Sequence, residues 1–331
     1  MAQICPATPE SIAQAALLLG QGKAVAFPTE TVYGLGGRTF SPDAARLIHA
    51  LKGRPANNPL IAHVLDVAGA RRVTHAWSDE CTRLASAFWP GPLTLVLPRH
   101  PDVPRESTGG RDTVAVRSPR HTVARALLEA VGGEPISAPS ANISGRTSAT
   151  SAAHVRHDFA HVPDLLILDG GACEVGIEST VLDLTAPEPT ILRPGSVTAA
   201  DLQAALGRPV RAREATEQGA SPGTAISHYA PVTPAVLVPR GQLEAFMQGQ
   251  EPGCAVLMVA PHGVPPGWRT HHQVFPMPEL CEAYAAVLYD RLRAADASGA
   301  RLIVIQDPCS ADPRWSGVRD RLRRATHPPA V

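Results

Sequence analysis

The chain has 331 residues, 44% of them hydrophobic, with 30 basic and 30 acidic side chains and no formal net charge. That length allows one large domain or two ordinary ones, and the apolar content supports a packed core. Neutrality argues against a protein whose main task is holding nucleic acid by broad electrostatics, and no apolar run approaches the roughly 20 residues of a membrane span.

Thr8-Pro9-Glu10 predicts a helix start, with Thr8 as cap, Pro9 in the first turn and Ile12, Ala15, Ala16 and Leu19 as the apolar stripe. Ala24–Phe27 reads as a short buried strand stopped by Pro28. After it, F-P-T-E-T-V-Y-G-L-G-G (Phe27–Gly37) reads as a loop rich in hydroxyls and glycines, the kind that holds a small ligand at a strand's carboxyl end. A helix from Ser41-Pro42-Asp43 follows, then strands at 60–64, 93–97, 114–117, 165–168 and 180–184 with helices between them. Strands alternating with helices predict an α/β fold, and the missing helices between some strands predict a mixed, twisted sheet.

L-K-G-R-P-A-N-N-P-L (Leu51–Leu60) sets Lys52 and Arg54 in a loop stiffened by two prolines, which suits a polyphosphate. Charge complementing a helix C-terminus would explain Lys52 but not Arg54, Asn57 and Asn58. His63, alone in an apolar strand, reads on its own as a core residue, and Trp89 in F-W-P-G-P-L-T as scaffold. Arg117 ends a strand and points to an anion contact on the same rim as the opening loop. I-S-A-P-S-A-N-I-S-G (Ile136–Gly145) fits either a nucleotide pocket lined by small hydroxyls or a serine-rich turn, and its residues leave both open. His154, His157 and His161 have helical spacing and read as a solvated face rather than a metal site. G-I-E-S-T-V-L-D-L (Gly176–Leu184) and I-L-R-P-G (Ile191–Gly195) each attach a polar group to a strand. No nucleophile-elbow sequence occurs, so hydrolase chemistry is not favoured.

Residues 208–234 read as a linker, in which His228-Tyr229 stands between Pro222-Gly223 and Pro231. Residues 235–331 read as a small α/β domain in which Arg319, Arg321, Arg323 and Arg324 form a solvated basic helix face. Six cysteines lie far apart without a C-x-x-C pair, and the first residues lack the pattern of a signal peptide, so a cytoplasmic protein with reduced thiols is expected.

Taken together and in this order, F-P-T-E-T-V-Y-G-L, K-G-R-P, W-P-G-P-L-T, S-A-P-S-A-N-I-S-G, G-I-E-S-T-V and L-R-P-G resemble the YrdC family of L-threonylcarbamoyladenylate synthases in its longer, two-domain form. The resemblance implies an α/β, twisted, partly open mixed sheet over residues 1–207, a linker or lid over 208–234 and a smaller, Rossmann-like α/β domain over 235–331. It implies condensation of L-threonine, bicarbonate/CO2 and ATP to threonylcarbamoyl-AMP and pyrophosphate, for N6-threonylcarbamoyladenosine on tRNA. Magnesium (Mg2+) with the ATP, a downstream tRNA threonylcarbamoyl transferase complex and at most weak contact with tRNA come with it.

By matching motif, Thr31, Tyr33, His63, Arg117, Ala138 and Ser179 are implied to hold threonine. Lys52, Arg54, Asn58, Thr113, Ser140, Asn142, Ser148, Arg193 and Tyr229 are implied to hold ATP, with Lys52, Arg54 and His63 as the catalytic set and no metal ligands. The linker departs from the family's S-P-G-M-x-[KR]-H-Y form at Thr224 and Ser227. Two rival readings are a non-enzymatic RNA-binding factor, disfavoured by the neutral charge, and a carbamoyltransferase of the hydrogenase-maturation type, which would carry zinc-finger and acylphosphatase segments.

Overall fold

A computed structural model describes residues 1–213, 228–258, 268–308 and 311–327. The linker stretch Ser221–Ser227, with Thr224 and Ser227, lies outside the described residues, as does Cys309. In chain order the larger sheet and its helices comprise β1 (Gln3–Pro6), α1 (Pro9–Gly20), β2 (Val25–Phe27), β3 (Gly34–Arg38), α2 (Pro42–Lys52) and β4 (Ile61–His63). Then come α3 (Val67–Val73), α4 (Asp79–Phe88), β5 (Leu93–Pro98), β6 (Thr113–Arg117), α5 (Thr122–Ala130) and β7 (Ile136–Ser137). α6 (Ala152–Asp158), β8 (Leu166–Asp169), β9 (Thr180–Asp183), β10 (Thr190–Arg193), α7 (Ala199–Leu206) and β11 (Arg211–Ala212) complete it. The smaller sheet uses β12 (Ala235–Val238), α8 (Leu243–Gln248), β13 (Ala255–Met258), α9 (Trp268–His271), β14 (Gln273–Pro276), α10 (Cys281–Asp296), β15 (Ile303–Gln306) and α11 (Ser316–Ala325).

The large sheet has the order β1-β8-β2-β3-β7-β4-β6-β5-β9-β10-β11 and is mixed: β4 runs parallel to β6, whereas β2 and β7 run antiparallel to β3. The small sheet, β12-β15-β13-β14, is wholly parallel. Local signals work as read. Thr8 Oγ1 accepts from Ser11 N at 3.3 Å and Ser41 Oγ accepts from Ala44 N at 3.2 Å, so each helix starts on a side-chain cap. Ala62, Leu93, Leu95, Val114 and Val116 pack from the sheet onto α3, α4 and α7, forming one core layer.

Four strands depart from the reading of the sequence: β1, β3, β11, which lies in the expected linker, and β14. β1 joins the sheet edge beside β8, and the second half of the expected loop is β3. Its glycines argue against a strand by propensity. Packing requires them, because a Cβ on Gly36 would lie 2.6 Å from Phe27 Cε1 and 2.7 Å from Ile136 Cγ2. The loop proper is therefore Pro28–Tyr33, pinned between β2 and β3 at the sheet's centre.

Arg321 is a second departure. The expected solvated face of α11 carries Arg323 outward, but Arg321 is fully buried against the large-sheet unit. His154, read as solvated, is half-buried, with Nε2 3.6 Å from Asp290 of α10, while His157 is exposed beside Asp158. Val32 and Ile177 share one apolar cluster with Tyr229, Tyr284, Leu288 and Val318, so helices of the small unit pack onto loops of the large sheet over a common core.

Candidate active site

Strand and loop ends from both halves of the large sheet open onto one cleft. Thr31, Arg54, His63, Arg117, Ala138, Ser140, Glu178, Ser179, Arg193, His228 and Tyr229 all line it.

The K-G-R segment divides at a helix end. Gly53 takes the left-handed conformation (φ 58°) that stops α2, so its neighbours turn apart. Lys52 is buried, and its ammonium donates to Ser140 O at 2.6 Å and to Asn142 O. It braces the S-A-P-S-A-N loop rather than lining the cleft. Burial lowers its pKa well below the ordinary lysine value, and the nearby Arg54 charge adds to this. Arg54 does line the cleft. Its Nη2 donates to Asn58 Oδ1 at 2.6 Å and to Pro59 O at 3.0 Å, which fixes the fork's direction. Burial brings its pKa to about 10, so it stays charged at neutral pH.

Arg117 ends β6 beside the Pro28–Tyr33 loop. Nη1 donates to Thr31 Oγ1 at 2.8 Å and Nε to Gly91 O at 3.1 Å. Nη2 lies 2.8 Å from Glu30 Oε1, so the guanidinium and this carboxylate form a buried ion pair. Thr31 Oγ1 also meets Thr29 Oγ1 at 2.9 Å. His63 Nδ1 lies 3.0 Å from Ile61 O, which makes Nδ1 the protonated nitrogen and Nε2 the acceptor. Burial, with the Arg117 charge, lowers the imidazole to about 4, so it is neutral at physiological pH.

Arg193 anchors on Ser179, through Nε to its carbonyl at 3.1 Å and Nη2 to its hydroxyl at 3.1 Å, and Ser179 Oγ meets Thr94 Oγ1 at 2.8 Å. The R-P-G turn can approach this closely because a Cβ on Gly195 would lie 2.5 Å from Thr180 N. Tyr229 holds a positive φ of 62°, a conformation costing a non-glycine residue about 1 kcal/mol or more. Its hydroxyl and both His228 ring nitrogens are buried without a hydrogen-bond partner. Unpaired buried polar atoms facing a cleft are costly, and a ligand is the natural partner.

Other expected site residues are tied up in the wall or stand behind it. Ser140 Oγ donates to Asn142 Oδ1, and the Asn142 amide spans Ile143 O and Arg146 O. Ser148 is fully buried, donating to Glu178 Oε1. Thr113 starts β6, paired with Pro98, and does not line the cleft. Tyr33 lines it, while its hydroxyl donates to Gly171 O at 2.8 Å. Glu178, in the G-I-E-S-T motif, and Glu30, in T-E-T, carry roles that only the tertiary contacts reveal. Burial would raise Glu178, but Arg321 and Arg193 hold it at about 2.

Residues 17–195 match the Sua5/YciO/YrdC family, described as telomere recombination. The chain belongs to that family. Residues 197–326 match a second model, the C-terminal domain of threonylcarbamoyl-AMP synthase, as the two-domain Sua5 form requires. A threonylcarbamoyl-AMP synthase of Pyrococcus abyssi is 39% identical over 325 residues, covering 94% of this chain and 93% of the relative. One from Bacillus subtilis is 45% identical over 230 residues, 67% of this chain and 65% of its own. The crystal structure of P. abyssi Sua5 complexed with L-threonine superposes with a TM-score of 0.87 at 35% identity, covering 98% of this chain and 97% of that one.

Proposed function

We propose that this chain is an L-threonylcarbamoyladenylate synthase, a nucleotidyltransferase that condenses L-threonine, bicarbonate or CO2 and ATP into threonylcarbamoyl-AMP and pyrophosphate. The observation that carries the reading is a single cleft lined by three arginines: Arg117, which donates to Thr31, and the neighbouring Arg54 and Arg193, of which Arg193 donates to Ser179. We assign the Arg117 side to threonine, with Tyr33 and Ala138 in its wall and Ser179 between the two sides, and the Arg54–Arg193 side to ATP, with Ser140, His228 and Tyr229. Asn58, Asn142, Ser148 and Lys52 act by holding these groups, and Thr113 by fixing the start of β6.

The chemistry asks for positioning more than for a nucleophile. The threonine amine attacks CO2: an N–C bond forms as one C=O π pair moves onto oxygen, and the proton released from nitrogen passes to solvent water. A carbamate oxygen then attacks the α-phosphorus, the Pα–O–Pβ bond breaks, and pyrophosphate departs with its electron pair. Two anions must meet, so cations on both sides stabilise the encounter and the transition state. His63, neutral with Nε2 as acceptor, takes a hydrogen bond from the amine and turns its lone pair towards CO2. An imidazole lowered to about 4 is a weak base, so its part is orientation.

Among the described residues no group of three or more His, Cys, Asp or Glu could hold a metal ion. The cleft's Glu178 is already taken by Arg321, Ser148 and Tyr289. These residues do not fit a resident Mg2+; magnesium enters as the counter-ion of ATP, on phosphate and water oxygens. We further assign residues 1–207, with the edge strand β11 (Arg211–Ala212), as the catalytic unit, the rest of 208–234 as linker and lid and 235–331 as the small unit. The cytoplasm is the proposed compartment, since no described helix is long and apolar enough to cross a membrane and the product serves tRNA. Hand-over goes to a tRNA threonylcarbamoyl transferase complex, with at most weak tRNA contact here.

The test is pyrophosphate release from ATP with single omissions. Release that needs both threonine and bicarbonate supports the reading; release indifferent to threonine ends it.

A further inference from the structure

Three side chains of the small-sheet unit reach into the wall of the cleft. Arg321 of α11 donates from Nε to Glu178 Oε2 at 2.8 Å, from Nη2 to Glu178 O at 3.2 Å and from Nη1 to Pro194 O at 2.7 Å. Its guanidinium carbon sits 5.3 Å from the centre of the Tyr229 ring. Tyr289 of α10 donates to Glu178 Oε2 at 3.0 Å and stacks at 5.8 Å on Tyr229. Arg293, also of α10, donates to Ser148 O and Thr147 O and pairs with Asp158.

The backbones approach as closely as their glycines permit. A Cβ on Gly176 would lie 2.3 Å from Ala285 O of α10, and a Cβ on Gly317 would lie 3.0 Å from Gly195 Cα. The helices of the small unit are therefore seated on the G-I-E-S-T and R-P-G turns themselves. Glu178 lines the cleft, and Pro194 directly follows the cleft-lining Arg193. A buried ion pair contributes little net stability compared with apolar packing, because desolvation offsets attraction. What this one fixes is geometry: one planar fork sets two turns and one ring at once.

We propose that Arg321 is a positioning residue of the nucleotide end of the cleft, which is complete only when α11 is docked. This rests on the synthase reading above. It makes the small unit part of the ATP site, rather than a support for the segment that precedes it. Arg321 touches no reacting atom. It acts by holding Glu178, the Pro194 carbonyl and the Tyr229 ring in register with Arg193.

The experiment compares Arg321→Lys and Tyr289→Phe with the natural full-length chain, measuring kcat, KM for ATP and KM for threonine, together with the melting temperature. Lysine keeps the charge but loses the fork, so KM for ATP rises roughly 10-fold or more, while KM for threonine stays within about twofold. Tyr289→Phe keeps the ring and loses one hydrogen bond to Glu178, for a rise of about threefold in KM for ATP alone. A merely structural bolt would lower the melting temperature and the active fraction, seen in kcat, and leave both KM values unchanged. That result overturns the proposal. If Arg321→Lys does not fold, Tyr289→Phe decides, and an unchanged KM for ATP is then contrary. If the natural chain forms no threonine-dependent product, the synthase reading fails instead. Calorimetry of ATP binding then still tests Arg321, with an unchanged affinity in Arg321→Lys against it.

Discussion

Arg117 reaches Glu30 at 2.8 Å while donating to Thr31, so the cation proposed to receive threonine already has a carboxylate beside it. Glu30 Oε2 accepts in turn from Arg120 N at 3.0 Å, which fixes the carboxylate in place. Burial would raise its pKa, yet Arg117 outweighs burial and keeps it ionised. On the proposed assignment, a threonine carboxylate would join an oriented pair.

This pair sets the first prediction. Glu30→Gln leaves Arg117 buried without its counter-charge, at a cost on the order of 3 kcal/mol in stability. Bound threonine brings a carboxylate back to the same guanidinium. Threonine should accordingly raise the melting temperature of Glu30→Gln by more than it raises that of the natural chain. Equal shifts in the two proteins would contradict the assignment of Arg117 to the carboxylate.

Arg54 sets the second. Arg54→Ala removes charge-assisted hydrogen bonds to ATP worth roughly 1.5–3 kcal/mol, on the order of 10- to 150-fold in kcat/KM for ATP. Threonine affinity changes far less. Product formation at varied ATP and varied threonine separates the two, and matched losses would count against placing Arg54 at the phosphates.

These two arginines differ in how far the sequence discloses them. Both stand in quoted motifs, but the partner of Arg54 is Asn58, four residues on, whereas that of Arg117 is Glu30, far back along the chain. The α/β class, most strands and the helix caps were legible because they depend on local pattern. β3 was not, because its glycines are explained only by the Phe27 and Ile136 side chains above them. Lys52 suggested phosphate binding, yet the carbonyls that hold it belong to the later Ser140–Asn142 turn. Arg321 looked like a surface charge because its partner, Glu178, belongs to the other sheet's unit.

Acid stability is the third prediction. Burial lowers His63 and His154 to about 4 and His228 to about 3, all below the unfolded value near 6.5. On acidification the unfolded chain takes up protons first, so stability falls from pH 6.5 down towards 4 and, for His228, 3. Glu178 works in a lower window. Its contribution is full above about 4.5 and disappears as pH drops towards 2. Denaturant melts across pH 3–8 should show a decline starting near 6.5. His154→Gln, away from the cleft lining, should make the decline between 6.5 and 4 shallower without abolishing it, because burial also lowers His49, His121 and His272. A flat profile over that interval would be inconsistent with neutral buried histidines.

Gly36 gives the fourth. Gly36→Ala forces a methyl against Phe27 and Ile136, and overpacking of this kind costs about 1–3 kcal/mol. Since Phe27 also packs edge-on against His63 at 5.8 Å, threonine binding should weaken along with stability. An unaltered melting temperature would mean that β3 does not sit where described.

The central claim is that one cleft joins threonine, CO2 and the adenylyl group. Its most direct measurement is mass spectrometry of the nucleotide product formed from ATP and threonine in 13C-bicarbonate. The predicted product is an adenylate that carries both threonine and the 13C label, formed with an equal amount of pyrophosphate. An adenylate bearing threonine without the label, or AMP alone, would contradict the account.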